Sequence, residues 1–205
     1  ANSGSFTVDT TATVNGVKYG SSTAPIIAYS KTTGSSKNGG VAYINGVSTN
    51  INAGTFQNNI SGNGGVLYLE NGASLNVTGG TFTSNTASNG GAIYNKSTSN
   101  VVVSNASFTS NSASNHGGAI YSTASMTLGG AVFTSNSAQM GGAIYNSNFL
   151  RINGGSMNGN TAGIGGAIYI SNGDTILQNV VFESNSSGAV YVYSDGSPTI
   201  TLVAD

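Results

Sequence analysis

Apolar and polar positions recur along the chain in two alternating blocks. The first block reads GGAIY or a variant of it, and it occurs at residues 39–43, 64–68, 90–94, 117–121, 141–145, 165–169 and 187–191. The second block reads FxxN or a variant, and it occurs at residues 56–59, 82–85, 108–111, 133–136, 157–160 and 182–185. Between the two blocks apolar and polar residues alternate, as in Leu75-Asn76-Val77. A period of two indicates β-strands, so each repeat predicts three short strands separated by corners.

The spacing within the repeats indicates which parts are rigid. In every complete repeat the first inward position of the middle strand precedes the aromatic position of the third strand by seven residues, as from Leu75 to Phe82. The distance from the tyrosine to the middle strand varies by up to two residues. Insertions therefore fall at one corner, as expected when strands of successive repeats stay in register. We predict an all-β, right-handed, single-stranded parallel β-helix with three strands per coil and about seven to eight coils.

Stacking of such coils places like residues directly above one another. An aromatic column is predicted inside the third strand, completed by Met157 in one repeat; its phenylalanines are Phe56, Phe82, Phe108, Phe133 and Phe182. Corner asparagines form a second column, in which the amides can bond to one another along the stack and tolerate a left-handed backbone. These residues are Asn59, Asn85, Asn111, Asn136, Asn160 and Asn185. Both columns are predicted to be structural.

A third column consists of tyrosines, namely Tyr43, Tyr68, Tyr94, Tyr121, Tyr145, Tyr169 and Tyr191. Successive residues of a strand point to opposite faces. If the isoleucine before each tyrosine points inward, the tyrosines form an outward stripe flanked by the small residues Ala119, Ala143 and Ala167, and such a stripe is typical of a contact surface. Two alternatives remain open: the tyrosines could point inward, or their stacking could merely stabilise the coils.

The interleaved GGAI and FxxN tetrapeptides resemble the passenger domains of the chlamydial polymorphic membrane proteins and related autotransporter-type surface proteins. The resemblance extends from residue 39 to about residue 191. It implies a β-helix on the cell surface that acts in adhesion, and hence a host receptor or glycan as the partner.

Composition restricts the remaining possibilities. Only 5% of the residues are charged and the net charge is −1, which argues against binding to nucleic acid or to an anionic membrane surface. The sequence has no cysteine and no apolar run of membrane-spanning length, so no membrane span is expected. Because the chain starts at Ala1 rather than at methionine, we expect an extracellular or cell-surface protein that is exported through a cleaved signal peptide.

Candidate chemistry is sparse. Solenoid enzymes that cleave polysaccharides gather carboxylates on one face, whereas here only Asp174 and Asp195 lie in comparable corners of adjacent coils. His116 is the only histidine, and a solvent-exposed turn residue is the expected role for it. We therefore expect a protein that is not an enzyme, without catalytic residues, metal ligands or cofactors.

Both ends of the chain carry short strand patterns. We assign residues 39–205 to the parallel β-helix and residues 1–38 to an irregular N-terminal coil or cap that could supply an assembly strand. The segment around Phe6 and Val8 loosely matches the third-strand pattern, and Ile200 and Leu202 belong to a strand at the middle position of an unfinished coil. A coil that ends with its middle strand at the C-terminus could be continued by a third strand from the N-terminus of another copy. We therefore expect copies of the chain to stack head to tail into a filament. An adhesin that binds a host receptor or glycan through the tyrosine stripe is the alternative.

Overall fold

The chain forms a parallel β-solenoid. The computed structural model describes residues 38–98, 100–193 and 198–203 with their side chains, and four further strands between residues 5 and 28 by their backbone pairing. All regular elements within these ranges are β-strands. The described residues include no helix long and apolar enough to cross a membrane. The prediction of an all-β solenoid with three strands per coil is therefore confirmed.

Three long sheets run along the solenoid, and we name them by their residues. The tyrosine sheet contains β5 (Ala42–Asn45), β8 (Leu67–Glu70), β12 (Ile93–Asn95), β16 (Ile120–Ser122), β19 (Ile144–Asn146), β22 (Ile168–Ile170) and β25 (Val190–Val192). The middle sheet contains β1 (Ser5–Val8), β6 (Ser48–Ile51), β9 (Ser74–Val77), β13 (Val101–Ser104), β17 (Met126–Gly129), β20 (Leu150–Asn153), β23 (Thr175–Gln178) and β26 (Ile200–Val203). The phenylalanine sheet contains β4 (Ile26–Ala28), β7 (Thr55–Gln57), β10 (Thr81–Thr83), β14 (Ser107–Thr109), β18 (Val132–Thr134), β21 (Ser156–Asn158) and β24 (Val181–Glu183).

Two smaller sheets complete the strands that the structure describes. Strand β11 (Thr86–Asn89) pairs in parallel with β15 (Ser112–His116) along the corner that leads to the tyrosine sheet. Near the N-terminus, β2 (Ala12–Val14) and β3 (Val17–Tyr19) form an antiparallel hairpin. Among the described strands, six coils contribute to all three long sheets, and partial coils lie at both ends. The predicted number of seven to eight coils therefore slightly exceeds the number of complete coils.

The register between coils aligns like residues, as the repeat spacing predicts. In the middle sheet Leu75 pairs with Val101 and Val101 with Met126, and all three side chains are buried. In the phenylalanine sheet Phe82 pairs with Phe108. The rings of Phe56, Phe82, Phe108 and Phe133 stack with centroids 4.7–4.8 Å apart. This distance equals the usual separation of neighbouring strands, so the rings stack at the spacing that the backbone sets.

A column of amides lies beside this aromatic column. The Nδ2 group of Asn111 donates to Oδ1 of Asn136 at 3.0 Å and to the carbonyl oxygen of Phe82 at 2.9 Å. Its Oδ1 accepts bonds from the backbone N–H of Asn85 at 3.0 Å and from Nδ2 of Asn85 at 2.9 Å. The same pattern links the asparagines from Asn59 to Asn185. Each buried amide therefore has its polar atoms satisfied by the neighbouring coils, which offsets the cost of removing them from water.

The left-handed backbone lies one residue before each ladder asparagine. Ser110, which precedes Asn111, has a φ of 54°, and Ser84 has the same value. The asparagines themselves are not among the described residues of positive φ. The ladder asparagines, which were predicted to tolerate this conformation, therefore do not adopt it. Their amides are needed for the ladder instead, and the small preceding residue makes the turn.

The corner before the tyrosine sheet requires both glycines of the repeat. Gly117 has a φ of +62°, and a Cβ on Gly118 would lie 2.0 Å from the carbonyl oxygen of Gly142 in the next coil. The N–H groups of Ala119 and Ile120 both donate to the carbonyl of Ala143. Two residues facing one carbonyl form a bulge, which breaks the alternation of faces.

This bulge changes the predicted surroundings of the tyrosines. Ala119, Ala143 and Ala167 are fully buried and belong to the hydrophobic core. The prediction that these alanines flank an exposed stripe is therefore wrong, because alternation holds only after the bulge.

The N-terminal strand has a different phase from the one predicted. Strand β1, which contains Phe6 and Val8, pairs with β6 of the middle sheet, and β4 occupies the first position of the phenylalanine sheet. The third-strand assignment of Phe6 and Val8 is therefore wrong. A middle strand has two inward positions separated by one residue, whereas a third strand has only one, and the apolar pair Phe6 and Val8 fits the first pattern. The rest of the predicted N-terminal unit, residues 1–38, lies mostly outside the described residues.

Replacement of Asn111 by alanine should strongly destabilise the solenoid. The substitution leaves the backbone N–H of Asn85 and the carbonyl of Phe82 without partners in a buried position, which should lower the free energy of unfolding by about 2–4 kcal/mol. Urea denaturation followed by circular dichroism measures this effect. Asn76→Ala is the matched control, because Asn76 is exposed and has only a 3.4 Å bond to Asn50. Equal losses in the two variants would contradict a stabilising role for the buried ladder.

Candidate binding surface

The seven tyrosines of the tyrosine sheet form one continuous stack, which we call the tyrosine stripe. The isoleucines before them, such as Ile93 and Ile120, are fully buried in the core, so the tyrosines lie on the outer face of the sheet. Neighbouring rings have centroids 4.7–5.3 Å apart and planes within 2–19° of parallel. The alternative in which the tyrosines point inward therefore does not hold. The rings are both stacked on one another and placed on the outer face.

Stacking determines which parts of the rings a ligand can reach. Exposure is largest at the two ends, with 50% for Tyr43 and 40% for Tyr191, and falls to 5% for Tyr68 and 7% for Tyr169. Each inner ring has a neighbouring ring on both faces. The surface therefore presents ring edges and hydroxyl groups along its length, and aromatic faces only at the ends of the described stack.

The central hydroxyls are available for hydrogen bonding. Within the described residues, the hydroxyls of Tyr94, Tyr121 and Tyr145 have no protein partner, and they are absent from the buried polar atoms that lack one. They therefore reach solvent and recur once per coil. A phenol can both donate and accept a hydrogen bond, so the three groups form a regular row of polar contacts on an otherwise apolar stripe.

Glu70 binds the hydroxyls at the N-terminal end of the stripe. Tyr43 donates a hydrogen bond to Oε1 of Glu70, and the hydroxyl of Tyr68 lies 3.4 Å from Oε2. Burial, followed by the nearby Glu70 carboxylate, raises the pKa of Tyr68 to about 12. Burial and the neighbouring tyrosines likewise raise the pKa of Tyr121 to about 12. These phenols therefore keep their protons throughout the physiological range and act as neutral hydrogen-bonding groups.

His116 lies beside the stripe and is not a solvent-exposed turn residue. It is half-buried at the end of β15, and its ring centroid is 4.9 Å from that of Tyr145. Its Nδ1 lies 3.1 Å from Oδ1 of Asn89; since a carbonyl oxygen only accepts, Nδ1 carries the hydrogen. Burial lowers the pKa of His116, so the ring is neutral at neutral pH. The expectation of an exposed histidine is therefore wrong.

His116 is also the last member of a second ladder of side-chain hydrogen bonds, which the sequence analysis did not predict. Asn89 donates through Nδ2 to Oδ1 of Asn63 at 2.9 Å, and Asn63 donates to Asn38 at 3.0 Å. The same column continues through backbone bridges to Met140 and Ile164. A signal for it exists in the sequence, because each of these residues directly precedes the glycine pair of its repeat. The column forms the border of the stripe, changing from polar at its N-terminal part to apolar at its C-terminal part.

The two acidic residues predicted to lie in comparable corners differ in what the structure describes. Oδ1 of Asp174 accepts bonds from the N–H of Thr199 at 3.0 Å and from its hydroxyl at 2.7 Å, and these bonds lower the pKa of Asp174. Asp195 lies outside the described residues, so its distance from Asp174 is undefined. In the part of the chain with described side chains, no three residues of metal-binding type form a cluster.

The predicted assembly residues are distributed over two strands of one sheet. Phe6 and Val8 belong to β1, and only the backbone pairing of this strand is described. Ile200 and Leu202 belong to β26, where they are 39% and 75% exposed. The structure does not bring the two pairs together within one chain.

Alkaline titration should separate the stacked tyrosines from ordinary ones. Because the pKa of Tyr68 and Tyr121 is about 12 in the folded chain against an ordinary value of 10.0, the folded state binds more protons between these values. Stability should therefore be intact below pH 10 and fall as the pH rises toward 12. Phenolate absorbance should show a late step that is lost in denaturant. Tyr121→Phe should reduce its amplitude, and an unchanged late step would contradict the assignment.

Comparison with known protein families shows a similarity to a repeat family. Residues 79–96, 105–123 and 128–147 match the family model of the Chlamydia polymorphic membrane protein repeat. Each matched segment runs from a strand of the phenylalanine sheet through the glycine corner into the next strand of the tyrosine sheet, and contains one FxxN and one GGAIY block. No curated protein and no solved structure matches the chain. The predicted resemblance is confirmed: three segments of this solenoid are similar to the Chlamydia polymorphic membrane protein repeat.

Proposed function

We propose that the chain is a non-enzymatic module of a surface-exposed passenger domain, and that it binds a host protein along the tyrosine stripe. The matched repeat, which is that of a family of membrane proteins, supports a location at the cell surface. The observation that carries the binding role is the row of unpartnered hydroxyls on Tyr94, Tyr121 and Tyr145. A rigid, regularly spaced row of this kind costs little conformational entropy when it binds.

The stacking geometry favours a protein over a glycan as the partner. Sugar recognition by aromatic residues depends on access to a ring face, but each inner ring of the stripe has its faces covered by its neighbours. Tyrosine edges and hydroxyls are, in contrast, common contact groups in protein interfaces. The half-buried His116 and Met140 extend this surface on one side.

The absence of catalysis is also part of the proposal. Three described carboxylates have defined partners: Glu70 binds tyrosine hydroxyls, Asp174 binds Thr199, and Glu183 accepts a 3.2 Å bond from Asn158. They lie on different parts of the solenoid. This arrangement supports structural roles for them, because polysaccharide hydrolysis requires two carboxylates that flank one bond.

Head-to-tail stacking is a second candidate, and a groove at the C-terminal end of the described solenoid favours it. The groove has a volume of about 370 Å³ and is lined by Leu177, Val180, Phe182, Leu202 and Val203, together with Asn179. It lies next to β24, where a further strand would extend the phenylalanine sheet. A strand from a second copy would cover these apolar side chains. The predicted match between the strand positions at the two ends of the chain does not support stacking, because β1 and β26 both belong to the middle sheet.

Removal of the three central hydroxyls should weaken binding to host cells. Tyr94→Phe, Tyr121→Phe and Tyr145→Phe, combined in one variant, keep the ring stack and delete only the polar contacts. If each of the three hydroxyls makes one hydrogen bond of about 1 kcal/mol, the dissociation constant should rise roughly a hundredfold. Flow cytometry with the fluorescently labelled domain measures this change. Protease treatment of the cells should abolish binding, whereas glycosidase treatment should leave it intact.

The matched control is Thr83→Ala, Thr109→Ala and Thr134→Ala, which removes three hydroxyls from the outer face of the phenylalanine sheet. This variant should bind like the original chain. Equal loss in both variants would contradict a role for the stripe, and binding that only glycosidase removes would contradict a protein partner.

Stacking of copies can be tested separately by the state of association. Leu202→Asp places a charge in the apolar groove and should convert any head-to-tail assemblies into monomers in sedimentation velocity and electron microscopy. Thr201→Asp is the matched control, because Thr201 is the neighbouring exposed residue on the same strand. A monomeric original chain, or fibres that both variants retain, would contradict stacking through this groove.

A further inference from the structure

The chain contains an unusual number of Asn–Gly pairs. Nine occur in the sequence, at asparagines 15, 38, 45, 63, 71, 89, 153, 158 and 172. In such a pair the glycine nitrogen can attack the side-chain amide of the asparagine, because glycine has no Cβ to hinder the approach and adopts many conformations. The reaction needs a glycine N–H that is not held elsewhere. The sequence chemistry is the same in all nine pairs, so structure decides which of them react.

In six of the described pairs the solenoid holds the glycine nitrogen. Its N–H donates to a carbonyl of the neighbouring coil, as from Gly154 to Gln178 at 2.8 Å and from Gly159 to Glu183 at 2.9 Å. The other four glycines of this group are Gly39, Gly46, Gly64 and Gly90. Attack by these nitrogens requires the bond between two coils to break first, and that bond belongs to the framework of the fold.

Asn172 and Gly173 differ from these six pairs. The N–H of Gly173 donates to Oδ1 of Asn172 itself, at 2.8 Å. This bond keeps the nitrogen beside the side-chain carboxamide that it attacks, instead of in a bond to another coil. Asn172 is exposed, and its Nδ2 has no partner among the described residues.

The fold also fixes glycine at this position. Gly173 has a φ of +85°, and a Cβ there would lie 2.3 Å from the backbone carbonyl carbon of Asn148 in the preceding coil. A larger residue would therefore disrupt the contact between coils. A substitution of Gly173 that slowed attack on the side chain of Asn172 would therefore require a local rearrangement of the backbone.

We propose that Asn172 is a site of spontaneous deamidation. The backbone nitrogen of Gly173 loses its proton to solvent base and attacks Cγ of Asn172, which forms the N–Cγ bond of a succinimide. The Cγ–Nδ2 bond breaks, and the amide nitrogen leaves as ammonia with a proton taken from solvent. Water then opens either carbonyl of the ring and yields aspartate or isoaspartate. No oxidation or reduction takes place.

The site lies where the solenoid has room for the product. Residues 171–174 form the corner between β22 and β23, and this corner varies in length among the repeats. Isoaspartate lengthens the backbone, and this is the corner where longer connections occur. The new carboxylate lies two residues before Asp174 and three residues after Tyr169 of the stripe. Deamidation therefore adds negative charge beside the candidate binding surface.

Peptide mapping by mass spectrometry after incubation of the folded chain in mildly alkaline buffer tests the proposal. Asn172 should convert at least tenfold faster than Asn153, which is also exposed and followed by glycine but is the last residue of β20. In urea the two rates should become similar, because the bond that holds Gly154 is lost. Asn172→Gln has a longer side chain that forms the cyclic intermediate far less readily. This variant should remove the acidic product at residue 172 and leave the products at the other asparagines unchanged. Equal rates at Asn172 and Asn153 in the folded chain, or an acidic product that persists in Asn172→Gln, would overturn the proposal.

Discussion

The hydrogen bonds between successive coils are the constraint on which the rest of the structure depends. They hold each strand at a fixed distance from the equivalent strand of the next coil, and the repeat length keeps equivalent residues in line. A side chain on one coil therefore meets a copy of itself on either side. The buried phenylalanine stack, the asparagine ladder and the tyrosine stripe all follow from this one condition.

Self-stacking explains why each column contains the residue type that it does. A buried amide can satisfy a copy of itself, because it has both a donor and an acceptor, and Asn111 uses both toward its neighbours. A buried ionised carboxylate could not continue such a row, because it only accepts hydrogen bonds. A serine hydroxyl can continue a row, but its single donor leaves none for the backbone carbonyl that the amide also binds. Where the row is apolar, a different apolar residue is tolerated, as when Met157 replaces phenylalanine and remains buried. The buried ladder from Asn59 to Asn185 is therefore strict, and the apolar column beside it is permissive.

The sequence predicts the columns well because period and spacing depend only on residue type. It fails where backbone hydrogen bonding departs from simple alternation. The bulge at Ala119 turns that residue inward, and the bridge between β11 and β15 brings His116 against Tyr145. The third-strand assignment of Ser5–Val8 fails for a related reason, since the backbone pairing of β1 with β6 determines the sheet to which the strand belongs. These details depend on which carbonyl accepts a bond, and residue type alone does not specify that.

The two interpretations of the tyrosine column, as a stabilising stack and as a contact surface, are not exclusive, but they compete for the same atoms. Each ring uses its faces to bind the neighbouring rings, so only edges and hydroxyls are left for a partner. These groups repeat at the coil spacing and cannot differ much from coil to coil without a loss of stacking. In the binding role that we propose, specificity must then come from the adjoining corner, whose length varies among the repeats, and from the border column, which changes from asparagine to Met140 and Ile164. In that proposal the constant stripe supplies affinity, and its variable borders distinguish one partner from another.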